Sequence, residues 1–300
     1  MDSKGNSVIA WLLQPEPCCS YYVPYAQRFN RDGNKIGSEF GLSGYDRRIA
    51  MDPNGDFITT SVGDEALYAQ RYDRNGNTIG DSLLVSLSKA GGLDSEIGDS
   101  SVALNDNEFV VVWKDYDDSG MGVYARRFRT DGSEPGNEFQ VNTYTEKQQV
   151  QPDVAMDKEG KSVIVWVTGT KYDPSADVFA QRFDKDGKRI GDEFRVNSYI
   201  DGWQGDPRIV MNYCNSDFVI TWCDGGGHDG DGYGIYAKKF SFYNPADLDK
   251  DGYVNFKDYA VWANTFLKSG SNPGGDINQD GIVDYNDLEE LTENWLAYYP

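Results

Sequence analysis

Residues 162–194 read SVIVWVTGTKYDPSADVFAQRFDKDGKRIGDEF, and the three runs in this stretch set the architecture. SVIVW is an apolar, β-branched run ending at Trp166, and DVFAQRF alternates apolar with polar residues. Both patterns belong to half-buried or buried strands. Asp186-Gly187 sits where a hairpin turn needs φ > 0, and DEFRVNS follows it as a fourth run. Upstream, PDVAMD (Pro152–Asp157) is joined to SVIVW by the turn Lys158-EGK. The unit therefore reads as four short antiparallel strands.

The phrase at its centre recurs five times: Tyr25-AQRF, Tyr68-AQRY, Tyr124-ARRF, Phe179-AQRF and Tyr236-AKKF. An apolar run precedes each, ending at Trp11, Ser61, Trp113, Trp166 and Trp222. Gly-marked turns follow four of them: RDGNKIGSEF, RNGNTIGDSL, TDGSEPGNEF and KDGKRIGDEF. The last three copies are about 55 residues long, and the second is shortened at Gly63–Leu67. Four-stranded units repeated in this way predict a mainly β domain over residues 1–243, a five-unit propeller with sheet edges covered between blades. A twisted solenoid or open stack is the competing architecture. The recurrent Trp and Tyr invite a sugar-stacking reading, but residues repeated at one place in every blade are expected to pack blade against blade. The segments that do not repeat, 14–24, 114–122, 167–177 and 223–234, are expected on one face as the binding loops.

Met1-Asp2 falls in register with Met51-Asp52 and Met156-Asp157, the end of a first strand. The opening unit thus lacks its first strand and the last unit its fourth, giving eighteen strands. The expectation is truncation at an internal Met, with a signal peptide and further blades lost upstream, and an extracellular or cell-surface protein. The formal net charge is −21, which disfavours nucleic acid and anionic lipid as partners. No apolar stretch approaches the ~18 residues of a membrane span. Cys18, Cys19, Cys214 and Cys223 show no zinc spacing and read as thiols or at most one disulfide. The lone His228 cannot build a His-based metal site.

After Asn244-Pro245 the strand period stops and acid concentrates: eleven Asp and Glu against three Lys in 57 residues. DLDKDGYVNFKD (247–258) and DINQDGIVDYND (276–287) are offset by 29 residues. A calcium loop takes oxygens from positions 1, 3, 5, 7 (a carbonyl), 9 and 12, with Gly at 6. Asp247, Asp249, Asp251, Tyr253 (carbonyl), Asn255 and Asp258 fill the first set, with Gly252 at the turn. Asp276, Asn278, Asp280, Ile282 (carbonyl), Asp284 and Asp287 fill the second, with Gly281. Both loops match throughout, so two Ca²⁺ ions are expected. Helices are predicted after each loop, at 256–267 and 285–296, with Tyr259, Trp262, Phe266, Leu288, Leu291 and Trp295 as a small core.

Loop plus one helix, twice, with Asp at position 12 and no preceding helix, resembles the dockerin family over residues 244–300. The resemblance implies a small all-α, calcium-binding domain that docks its chain onto a cohesin-like or other docking protein. Dockerins of cellulosomes use a Ser/Thr pair at positions 10 and 11. Phe256-Lys257 and Tyr285-Asn286 stand there instead, and Ala263-Asn264 and Thr292-Glu293 stand where a basic pair would follow. The calcium frame carries over and the cohesin contacts do not. The function implied is a secreted, calcium-binding docking protein whose propeller binds glycan or protein where polysaccharide is degraded. The alternative is a dockerin-bearing glycoside hydrolase. Its candidate carboxylates, Asp46, Asp99 and Asp206 with Gln151, align just before the first strand of each blade, where structural turn-capping is the competing role.

Overall fold

The computed structural model describes residues 1–14, 23–42, 48–63, 66–87, 98–131, 133, 136–171, 173–250, 253–270 and 273–295. They form eighteen strands in five antiparallel sheets, then two helices. Blade 1 holds β1 (Ser7–Leu13), β2 (Val23–Phe29) and β3 (Lys35–Gly41). Blade 2 holds β4 (Ile49–Met51), β5 (Phe57–Val62), β6 (Ala66–Tyr72) and β7 (Thr78–Leu87). Blade 3 holds β8 (Gly98–Leu104), β9 (Glu108–Asp117), β10 (Gly120–Arg129) and β11 (Phe139–Gln140). Blade 4 holds β12 (Gln149–Met156), β13 (Ser162–Thr168), β14 (Asp177–Phe183) and β15 (Arg189–Arg195). Blade 5 holds β16 (Gln204–Met211), β17 (Phe218–Asp224) and β18 (Gly234–Phe240). Within each sheet the strands lie in sequence order. Met51, Leu104, Met156 and Met211, from four different first strands, line one axial cavity of about 530 Å³ with Met1–Ser3. The architecture is a five-bladed propeller.

Hairpin turns repeat one chemistry. Asp157 Oδ1 accepts from the amides of Glu159 and Lys161 (2.8 and 2.9 Å), and Asp184 Oδ1 from those of Asp186 and Lys188 (2.9 and 2.8 Å). Asp52 and Asp73 do the same in blade 2. The carboxylate replaces backbone partners that a tight turn leaves unpaired.

The recurrent AQRF has a separate explanation for its two polar letters. Gln181 is fully buried, and its Nε2 donates to the carbonyls of Arg182, Ile190 and Gly191 (2.9, 3.2 and 3.2 Å). These carbonyls flank a register shift between β14 and β15 at Ala180/Arg182. Gln27 and Gln70 staple the equivalent irregularities of blades 1 and 2. The Arg crosses to the next blade: Arg28 donates to the Arg74 carbonyl (2.6 Å), Arg127 to Asp184 (3.0 Å) and Arg182 to Phe242 (3.0 Å). In blade 5, which has no fourth strand among the described residues, the pair is Lys238-Lys239. We expect Gln181→Ala to cost about 1–3 kcal/mol, because buried carbonyls lose their donor without a replacement. Urea denaturation checks this, and a loss below about 0.5 kcal/mol would reject the staple.

The recurrent aromatic residues pack between blades, as expected, and also pair within their own sheets. Each recurrent Trp faces the first letter of the phrase across its own sheet: Trp11–Tyr25, Trp113–Tyr124, Trp166–Phe179 and Trp222–Tyr236, with ring centroids 6.0–6.5 Å apart. With these partners, Trp113, Trp166 and Trp222 each belong to a core cluster shared with the preceding blade. A Phe on the fourth strand adds to the packing between blades: Phe40 meets Phe57 and Tyr72, Phe139 meets Phe183, and Phe194 meets Phe240.

Helices α1 (Phe256–Thr265) and α2 (Tyr285–Glu293) follow their loops. Helix α1 stops two residues short of the predicted Leu267. Leu267 adopts φ +65°, and the chain turns to pair with the second loop: the Leu267 amide donates to the Val283 carbonyl (2.8 Å) and the Val283 amide to Lys268 (3.0 Å). The two halves are related by the 29-residue offset: Phe256 packs edge-on against Trp295, and Tyr285 against Phe266 (4.9 and 5.0 Å). Trp262 and Leu291 are buried, as are Val254, Ile277 and Val283. Phe266, Leu288 and Trp295 pack against them. Tyr259, expected in this core, is 42% exposed and rests on the rim of Trp262. The loop residues Val254 and Val283 take the space it was expected to fill. No helix among the described residues is long and apolar enough to cross a membrane.

Candidate metal centre

Both acidic loops are built alike. The Asp247 amide donates to the Asn244 carbonyl (2.9 Å), and 29 residues later the Asp276 amide donates to Pro273 (3.0 Å). Lys250 and Gln279, the fourth residues of the loops, both have left-handed backbones (φ +60° and +61°). The ninth residues, Asn255 and Asp284, are the N-caps of α1 and α2. The twelfth, Asp258 and Asp287, complete capping boxes and are fully buried.

Each twelfth carboxylate gathers three backbone amides. Asp258 Oδ1 accepts from Leu248 and Asp249 (2.6 and 3.2 Å), and Oδ2 from Asn255 (2.8 Å). Asp287 Oδ1 accepts from Ile277 and Asn278 (2.7 and 3.1 Å), and Oδ2 from Asp284 (2.8 Å). These bonds fold the front of each loop over the first turn of its helix. Helix amides and their partial positive charge favour an anion there. The turns of the second loop are fixed by Asp276, which accepts from Asp280 and Gly281 (3.1 and 2.9 Å), and by Asp280, which accepts from Ile282 (2.9 Å).

In the first loop, oxygens of Asp247, Asp249 and Asp258 lie within 4.8 Å of one another. Two oxygens on one Ca²⁺ at 2.3–2.6 Å can be no more than about 5.2 Å apart, so this set fits a single ion. Each carboxylate pair at that spacing repels by about 3–4 kcal/mol at an effective dielectric of ~20, before solvent screening. A divalent cation would remove that repulsion. Lys257 offsets part of it, with its Nζ 3.9 Å from Asp249. Asp251 lies outside the described residues, as do Gly252, Cys18, Cys19 and Asp46. Tyr253 and Ile282 sit on the exposed side of their loops. Cys214 and Cys223 are free thiols.

The polar residues aligned across blades have a structural use. Asp99, Gln151 and Asp206 lie inside the first strands rather than before them, each with a left-handed backbone (φ +45°, +55° and +50°). A bulge falls at each: Gly98/Ser101, Val150/Asp153 and Gly205/Arg208. Gln151 and Asp206 bond to each other from adjacent blades (2.8 and 3.0 Å), and Asp99 is 3.3 Å from Lys114 Nζ. What the sequence did not reveal is that His228 pairs with a buried carboxylate, Asp224. The Asp-x-x-x-His spacing was visible, but nothing in a glycine-rich loop predicts which side chains turn inward.

No protein-family model matches the chain, and no curated protein matches it. Among solved structures it is similar to a protein of unknown function from Dyadobacter fermentans, with 12% identity over 79% of this chain and 72% of that one and a TM-score of 0.50. It is also similar to an endo-arabinase from Bacteroides thetaiotaomicron (14% identity, 67% and 76% covered, TM-score 0.44). An endo-1,4-beta-xylanase from the same organism gives 9% identity, 80% and 90% coverage and a TM-score of 0.40. At these identities the likeness concerns the fold.

Proposed function

We propose that residues 244–300 form a calcium-dependent docking module of dockerin type. It tethers the propeller to a cohesin-like or other docking protein outside the cell, where the propeller binds glycan or protein during polysaccharide breakdown. The observation that carries this reading is the doubled loop: the twelfth carboxylate of each accepts from the second, third and ninth amides in the same way. A buried carboxylate would cap a helix without any ion. Two further acidic oxygens brought to it in the first loop are what capping does not need. Asp247, Asp249, Asp251, Asn255, Asp258 and the Tyr253 carbonyl would hold one ion. Asp276, Asn278, Asp280, Asp284, Asp287 and the Ile282 carbonyl would hold the other. The ions would neutralise clustered charge, so binding free energy becomes folding free energy for a core this small. Calorimetric titration of the whole chain should give two Ca²⁺ per chain, with helix gained in the far-UV spectrum. The Asp247→Ala/Asp276→Ala double variant should give neither. Zero sites in the wild-type chain, or undiminished binding in the variant, would reject the docking function.

A further inference from the structure

Blade 5 departs from its neighbours at the end of β17. In blade 4 the second residue after Trp166 is Thr168, whose hydroxyl donates to Gln149 Oε1 (2.7 Å), and the Trp166 indole donates to the same oxygen (3.0 Å). In blade 5 the Trp222 indole still donates to Gln204 Oε1 (3.1 Å), but the residue two further on is Asp224, 1% exposed. Its carboxylate accepts from Gln204 Nε2 (2.7 Å), from the Gly226 amide (2.7 Å) and from His228 Nδ1, which lies 2.9 and 3.0 Å from its two oxygens. Burial alone would raise this carboxyl, but the bonds from His228, Gln204 and Gly226 outweigh it and hold it below its usual range. An ionised carboxylate can only accept, so Nδ1 carries a proton and turns Nε2 away from the carboxylate.

The ring is held from its faces as well. Tyr199 stacks on His228 at 4.2 Å and 9°, and its edge meets Tyr236 (6.0 Å), which stacks on Trp222. The backbones of Gly202 and Gly226 touch so closely that a Cβ on Gly202 would come 2.5 Å from the Gly226 Cα. Beyond them Tyr233, 74% exposed, meets Trp203 edge to face (6.3 Å). Exposed Asp201, Asp229 and Asp231 complete the surface, and neither 197–204 nor 223–234 contains a Lys or Arg.

We propose that the surface carrying Tyr199, Trp203, His228 and Tyr233 is a binding site for a neutral saccharide. The proposal rests on the reading that the propeller binds glycan, and it names the place. Flat exposed rings match the apolar face of a sugar. The carboxylates accept from its hydroxyls, and the oriented imidazole presents Nε2 as a polar partner to them. A surface of acids without a cation repels uronates, phosphates and acidic peptides. An extended peptide would need the neighbouring outer edge of β18, where Lys238 and Lys239 blunt strand addition.

The test is affinity electrophoresis and calorimetry of the whole chain in calcium. Soluble arabinoxylan, mixed-linkage β-glucan and galactomannan are the neutral probes, and polygalacturonate and denatured casein are the contrasts. At least one neutral polysaccharide should bind, and both contrasts should fail. Tyr233→Ala and His228→Ala should each weaken binding about tenfold or more. Tyr233 is exposed, so its variant should melt like the wild-type chain and keep its two calcium sites. Binding that both variants retain would overturn this site while leaving a glycan-binding propeller elsewhere. Binding of polygalacturonate or casein alone, or of nothing, would overturn the saccharide and the glycan half of the propeller's function, with the calcium titration unaffected.

Discussion

Asp287→Ala should unfold the second loop and α2, with a loss of about 3–5 kcal/mol from residues 244–300. The carboxylate is fully buried and accepts from Ile277, Asn278 and Asp284. Alanine leaves these three amides without a partner, at about 1–3 kcal/mol for each that stays buried. It also removes half of the capping box on Asp284, and a lost cap costs about 0.5–2 kcal/mol. The penalties overlap, because the loop will open to water rather than bear all of them. Asp287→Asn separates capping from metal binding. Its amide oxygen still accepts, while its NH₂ meets the Asp284 amide, and the charge is gone. In EGTA the Asn variant should melt between wild type and Ala. In calcium it should melt where it does in EGTA, while the wild-type chain gains, since an ion needs the carboxylate. Far-UV melts under both conditions decide the matter. An Ala variant within about 1 kcal/mol of wild type in both would show that this residue holds nothing together.

In the propeller the largest single loss should come from Trp166→Ala, about 3–5 kcal/mol. The side chain is 1% exposed, lies against Phe179 and donates its indole N–H to Gln149. Removing it opens a void in the sheet and leaves a buried amide oxygen with one donor, Thr168, where it had two. Blade 2 sets the comparison. Ser61 stands opposite Tyr68 there, so a blade can close without the indole when its neighbours are fitted to the gap. Blade 4 has no such fitting. Guanidinium unfolding followed by fluorescence should show the full loss. A loss under about 1 kcal/mol would mean that blade 4 repacks as blade 2 is packed.

The blades were legible because their repeat is local. Most turns are an Asp or Asn with a Gly a few residues on, and each strand shows its own alternation, so no long-range knowledge was needed. The Gln and Arg of AQRF were visible as a phrase, but their roles were not. One staples a bulge and the other crosses to the next blade, and neither partner is near in sequence. The Trp positions were read correctly as contacts between blades, but the repeat did not show that each ring also stacks on the first letter of the phrase across its own sheet. The positive φ of Asp99, Gln151 and Asp206 was hidden for a related reason. Bulges are enforced by pairing with the second strand, and these residue types are common at turns as well. In the acidic tail the spacing alone gave the doubled loop, but not that its ninth and twelfth residues cap the helices. Tyr259 was misplaced because helical periodicity gives a face and not its depth.

The ring contacts between blades have a direction, although Arg126 and Arg189 reach back to the Val85 and Gln140 carbonyls. Phe40, Phe139 and Phe194 each leave one blade to cover aromatic residues in the next, and Arg28, Arg127 and Arg182 reach the same way. A chain leaving the ribosome therefore presents each new blade with a cover already made. Phe57 and Tyr72 can close onto Phe40 as soon as their hairpin emerges, without waiting for residues still to be translated. The exposed surface at any moment is one blade's trailing edge, whatever the length already synthesised. Assembly by accretion of this kind limits the time in which an unpaired edge can meet another chain, and the last such edge, β18, carries Lys238 and Lys239.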